Sequence, residues 1–144
     1  MRRYLLFLFL TLSLTPAGAQ PKYEVRAAWV TAVYGLDWPQ TKATTPAGIR
    51  RQQEELIEIL DKLKAANFNT VLFQTRTRGD VLYKSSIEPY NSILTGKVDG
   101  DPGYDPLAFA VRECHKRGME CHAWMVALPV SYTHLRAHET TLHL

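Results

Sequence analysis

Residues 49–75 read IRRQQEELIEILDKLKAANFNTVLFQT. Ile49, Leu56, Ile59, Leu60 and Leu63 recur at the three-to-four residue spacing of one helix face, which predicts an amphipathic helix running to Ala66. Thr45-Pro46 supplies its start, a side-chain cap followed by a proline whose fixed φ suits the first turn. Asn67, a residue that tolerates the left-handed conformation, supplies its end. Glu54, Glu55, Glu58 and Lys62 are expected on its solvent face. Within a few residues the pattern switches to Thr70–Thr75 (TVLFQT), a β-branched and aromatic run that reads as a strand.

The same alternation extends outward. Glu24–Val33 (EVRAAWVTAV) is a largely apolar run suited to a first strand buried on both faces. Asp105-Pro106 opens a second helix with Leu107, Ala110, Val111 and Cys114 on its apolar stripe and Gly118 as terminator, and Glu120–Val126 reads as a third strand. Strand, helix, strand, helix, strand implies parallel strands with right-handed crossovers, so the class is α/β. The long stretch from Arg76 to Tyr104 carries too many glycines and prolines for regular structure, and loops of that length are usually functional.

Parallel sheets bind ligands at the carboxyl ends of their strands. The candidate contacts there are Trp38 in the turn after the first strand, Arg76 and Asp80 after the second, and His122 with Trp124 on the third. Each has a plainer alternative. Trp38 could pack against its own helix, Arg76 could pair with Asp80, and His122 could be satisfied by a neighbour. Asp37 reads as turn chemistry. Asp99, Asp101 and Asp105 lack a complete calcium loop, so no metal is expected. Neither a phosphate-cradling glycine loop nor a Gly-x-Ser-x-Gly elbow occurs, and no cofactor is expected. Cys114 and Cys121 could pair only if their Cα atoms came within about 7 Å, and two buried free thiols is the preferred reading.

The ends of the 144-residue chain read differently from its middle. Arg2 and Arg3, the apolar run Tyr4–Leu14 and Ala17-Gly18-Ala19 form an export signal over residues 1–19, so a secreted or periplasmic protein free of the membrane is expected after cleavage. Val130–Thr140 resembles a translated transposase-type sequencing adapter, so residues 130–144 are expected to be a non-native tail. His134 and His138, at helical spacing, then make no metal site. Setting aside Arg2, Arg3, Arg136 and Glu139 leaves 14 basic and 13 acidic residues in 20–129, a balance of +1 that excludes a basic nucleic-acid surface.

The strings VRAAWVTAVYGLDWP (25–39), LIEILDKLKAANFNTVLFQTRTRGDVLYKSSIEPY (56–90), LTG (94–96) and DPGYDPLAFAVRECHKRGMECHAW (101–124) resemble, in order, the N-terminal part of the bacterial glycosyl hydrolase-like 10 family. The most specific motifs are Arg76-x-x-Gly79-Asp80-x-Leu82-Tyr83 and Asp101–Leu107. The resemblance implies a (β/α)8 TIM barrel, of which residues 20–129 would supply three strands, together with secretion and hydrolysis of glycosidic bonds in cell-wall glycan. It also implies acid/base carboxylates beyond Pro129, so the chain alone is expected to be inactive. The alternative is a noncatalytic carbohydrate- or cell-wall-binding module using the same rim residues.

Overall fold

The computed structural model describes residues 23–127. The export signal read in residues 1–19 and the adapter-like tail at 130–144 lie outside the described residues.

Strand β1 (Ala27–Val30), helix α1 (Pro46–Ala65), strand β2 (Thr70–Arg76), helix α2 (Pro106–Lys116) and strand β3 (Glu120–Met125) follow one another. The described strands form one parallel sheet in the order β1-β2-β3. Both helices begin where the sequence expects. Thr45 accepts a hydrogen bond from the Gly48 amide at 3.0 Å, and Asp105 accepts one from the Ala108 amide at 2.9 Å. Each cap satisfies an amide that the helix cannot pair internally, worth about 1 kcal/mol. Asn67 and Gly118, with φ of 69° and 62°, take the left-handed conformation just past the helix ends.

One core lies between the helices and one face of the sheet. Leu56 and Leu60 of α1, Phe109, Ala110 and Cys114 of α2, and Val30, Val71 and Phe73 of the sheet are all buried in a single cluster. Residues paired across parallel strands share a face, so the opposite face carries Trp29, Leu72 and His122 at one level and Gln74 with Trp124 at the next. No described helix covers that face.

This corrects two expectations. The first strand is shorter than Glu24–Val33, and among the described residues only one of its faces is covered, Trp29 on the other being 60% exposed. Nor is Glu55 solvated. It is buried, and its carboxylate accepts from the amides of Gln40 (3.0 Å) and Thr41 (3.2 Å) and from the Thr41 hydroxyl (2.5 Å). A carboxylate at a helical position expected to face water thus ties the β1–α1 connection to α1.

The stretch 77–104 has no helix or strand, yet it is ordered by its own side chains. Asn91 donates to the Thr77 hydroxyl and accepts from the Ile93 amide, both at 2.8 Å. Asp101 accepts from the Gly103 amide at 2.7 Å, the local turn chemistry of Asp, and Asp99 reaches back nine residues to accept from the Tyr90 amide at 3.0 Å. Val81, Leu82 and Leu94 bury completely and pin the loop to the rest of the domain.

Candidate functional site

The carboxyl ends of the three strands form a rim, and side chains from one segment hold the next in place. After β1 the chain turns through a short 3-10 segment, Val33–Gly35. Gln74, at the end of β2 and 1% exposed, holds that turn: its Oε1 accepts from the Thr31 hydroxyl at 2.7 Å and from the amides of Ala32 at 2.8 Å and Val33 at 3.1 Å. Asp37 accepts from the Thr31 amide at 2.8 Å, closing the turn from the other side. The result presents Tyr34, at φ 56° and 72% exposed, above the rim. Arg78, just past β2, stacks its guanidinium over that ring at 4.6 Å, an attraction between cation and ring face.

Arg76 is held between β3 and the long loop. Its Nε reaches both oxygens of Glu88, at 2.9 and 2.8 Å, and its Nη2 reaches Glu88 at 2.5 Å. Its Nη1 donates to the carbonyls of Val126 and Ala127, on the chain leaving β3. The strand pairing shifts register between Gln74 and Arg76, an irregularity of the kind that re-aims side chains at sheet ends. The partner of Arg76 is therefore Glu88 rather than Asp80. Asp80 instead accepts from the Thr77 hydroxyl and the Arg78 amide, closing its own turn. Both residues shape the rim, and their polar groups are committed to protein partners.

The Arg76 guanidinium beside Glu88 holds the Glu88 carboxyl below the usual carboxylate range. A carboxyl depressed in the folded state stabilises the fold above its unfolded pKa of about 4.3 and loses that contribution as pH falls through its folded value. Glu88→Gln should therefore be destabilising at pH 7, with a difference from the parent that shrinks by pH 3. Urea midpoints of both proteins at the two pH values check this. An equal difference at both would show that the ion pair contributes nothing. Because Glu113 is depressed in the same way by Lys116 and Arg117, the comparison between variants, not the parent's acid sensitivity alone, isolates Glu88.

The open sheet face is aromatic. Trp29 of β1 and Trp124 of β3 meet edge to face across β2, with ring centroids 4.7 Å apart. His122 lies on the same face, half exposed, with its Nε2 2.9 Å from the Glu120 carboxylate. His122 and Trp124 share a face as their alternation requires, and Trp29 joins them. Parity within one strand does not give Trp29, whose place follows from the register: position 29 pairs with Leu72, which pairs with His122.

Trp38 is elsewhere. It is 0% exposed, packs its ring 5.5 Å from that of Phe73, and donates from Nε1 to the Gln52 carbonyl at 2.8 Å. With both ring faces inside the core it offers no platform to a sugar, which corrects its placement among the substrate contacts. The exposed aromatic of that turn is Tyr34. Position alone did not reveal this, because both residues follow β1 and only the path of the turn separates them. Among the described residues no cluster of three or more His, Cys, Asp or Glu is arranged to hold a metal ion. Among them, too, no helix is long and apolar enough to cross a membrane.

Comparison with known proteins places this geometry in context. Residues 24–141 match the family model described as glycosyl hydrolase-like 10, a span that reaches into the stretch read above as adapter-like. The chain is 38% identical over 118 residues to glycosyl hydrolase YngK of Bacillus subtilis, covering 82% of this chain and 22% of that protein. It is 39% identical over 127 residues to glycosyl hydrolase DigH of Escherichia coli K12, covering 81% of this chain and 29% of that protein. The chain thus spans less than a third of the length of either relative.

Proposed function

Because the chain belongs to the glycosyl hydrolase-like 10 family, we propose that the whole protein of which it is part is an exported enzyme hydrolysing glycosidic bonds in cell-wall glycan, peptidoglycan above all. The described strands would be the first three of a (β/α)8 barrel. Two features support the barrel. The strands lie in sequential order with both crossover helices on one face, as the first three strands of such a barrel would. The opposite face, which in a barrel becomes the interior, is the one without a described helix.

The observation that carries the glycan reading is exposed aromatic surface in two places: Tyr34 on the turn after β1, and Trp29 in edge-to-face contact with Trp124 on the open sheet face. Flat apolar rings suit the faces of sugar rings, and Arg78 stacks its guanidinium on Tyr34. Of the sequence-derived contacts, His122 and Trp124 would line the interior face, while Arg76 and Asp80 would build the rim. Glycoside hydrolysis usually needs two carboxyl groups flanking the bond. The carboxylates described there, Asp37, Asp80 and Glu88, are all engaged by protein partners, and on this reading the acid and base lie beyond Pro129.

The test is release of reducing ends from purified glycan strands by the full-length protein and by this chain. The full-length protein should be active and this chain inactive. Activity in neither overturns the hydrolase reading. The same committed carboxylates favour a second reading, a module that binds cell-wall glycan without cleaving it. Under that reading the full-length protein sediments with insoluble peptidoglycan while releasing no sugar.

A further inference from the structure

Two hydrogen-bonded turns stand where β1 and β2 end, and one side chain crosses between them. The first turn carries Tyr34. Gln74 and Asp37 accept from the amides that enter it, and Gln40 donates from Nε2 to the Gly35 carbonyl at 2.5 Å. Tyr34 and Gly35 both take the left-handed conformation, at φ 56° and 66°, which a bulky residue such as tyrosine adopts only where its surroundings impose it. A Cβ at Gly35 would lie 3.4 Å from Cδ1 of Ile93, so this turn is seated against the long loop.

The second turn carries Arg78. Its closure is the work of Asp80, whose carboxylate accepts from the Thr77 hydroxyl and from the Arg78 amide at 3.1 Å, and whose carbonyl accepts from the Thr77 amide at 3.2 Å. The Thr77 hydroxyl in turn accepts from buried Asn91 at 2.8 Å, and Gly79, at φ 86°, lets the chain reverse. Each backbone is thus tied down on its own side. The Arg78 guanidinium then lies over the Tyr34 ring, 4.6 Å from its centre, while Tyr34 keeps 72% of its surface exposed.

We propose that Arg78 is a positioning residue for glycan binding: by covering one face of the Tyr34 ring it holds that ring in place, and a single pyranose stacks on the other face. The assignment rests on the glycan reading above. An exposed tyrosine free to rotate must be ordered when a ligand binds, which weakens affinity, and a ring already held does not incur that cost. The hold is the attraction between a cation and the electron-rich ring face. With one face taken, Tyr34 is a one-sided platform, and Arg78 acts through it rather than on the sugar. Asp80 acts one step further back, by setting the turn that delivers Arg78.

A double-mutant cycle on the full-length protein tests this, with KM and kcat measured for release of reducing ends from purified glycan strands. Arg78→Gln should raise KM about 2–5-fold, the factor that an exposed cation–ring contact supports, with kcat and the urea midpoint unchanged. Arg78→Lys, which keeps a cation, should recover part of that loss. In a Tyr34→Ala background, where KM is already raised, Arg78→Gln should add nothing, because the ring through which it acts is gone. An unchanged KM in Arg78→Gln, effects of the two substitutions that multiply in full, or an Arg78→Lys no better than Arg78→Gln would each overturn the proposal. So would a lowered urea midpoint in Arg78→Gln, which would assign the residue to the fold alone. For a parent that binds glycan without cleaving it, the same cycle is read in dissociation constants for soluble strands. A parent that neither cleaves nor binds glycan overturns the glycan reading itself, a failure visible before any variant is made.

Discussion

Replacing Trp38 by alanine is expected to destabilise the domain by about 3–5 kcal/mol, the range for removing a large aromatic from a core. The indole is fully buried against Phe73, so its removal opens a cavity that a well-packed interior closes only in part. A second loss adds to the first. The Gln52 carbonyl keeps no Nε1 donor at 2.8 Å. Gln52 is itself buried, and its side chain donates to the carbonyls of Thr41 and Leu94 at 2.7 and 3.0 Å and accepts from the Tyr104 hydroxyl at 2.6 Å. Movement of α1 into the cavity would disturb all three. Since total stabilities of domains are commonly 5–15 kcal/mol, the variant should be largely unfolded or close to it. Circular dichroism with urea titration measures this. A folded variant of unchanged midpoint with weakened glycan binding would instead return Trp38 to the substrate surface. Trp38→Phe, which keeps most of the volume and loses the donor, should cost less than the alanine change.

The second large effect is expected at Gln74. Gln74→Leu keeps a similar volume but removes the one oxygen that accepts from the Thr31 hydroxyl and from the amides of Ala32 and Val33. Buried donors left without partners cost about 1–3 kcal/mol each, and the turn can relieve some by moving toward water, so a loss of about 2–4 kcal/mol is expected. The direction of relief matters for function. The turn carries Tyr34, and its movement would separate that ring from the Arg78 guanidinium 4.6 Å away. In the full-length protein Gln74→Leu should therefore weaken glycan binding as well as stability, although Gln74 itself is buried. Tyr34→Ala should weaken binding with little change in stability, because the ring is 72% exposed. Equal stability of Gln74→Leu and the parent in urea would show that the three hydrogen bonds carry no net weight.

Both predictions concern residues whose roles depend on where the chain goes after β1. Trp38 and Tyr34 are four positions apart in the same turn, yet one is core and the other solvent. Composition treats them alike, and only the turn held by Gln74 and Asp37 separates them. Glu55 makes the same point on α1. Helical periodicity assigns it to the solvent side with Glu54 and Glu58, and the β1–α1 connection, lying across that side, turns it into a buried acceptor for two amides and a hydroxyl.

The amino-acid sequence by itself determined the two helices, their caps at Thr45 and Asp105, their exits at Asn67 and Gly118, the apolar β2 run and the parallel alternation that makes the class α/β. These rest on interactions within about four residues, or on a periodicity that one element carries alone. The shared face of His122 and Trp124 was legible for the same reason. Tertiary structure alone decided which face stayed open, that Trp29 joined it, that Trp38 left the rim for the core, and that Arg76 took Glu88 in place of Asp80. Each of those outcomes turns on partners brought together from distant parts of the chain: Arg76 meets Glu88 twelve residues away and the Val126 carbonyl fifty away. Several partners of suitable charge or shape exist for each such group, and the choice among them is made by how helices, strands and the long loop pack, which no local pattern records.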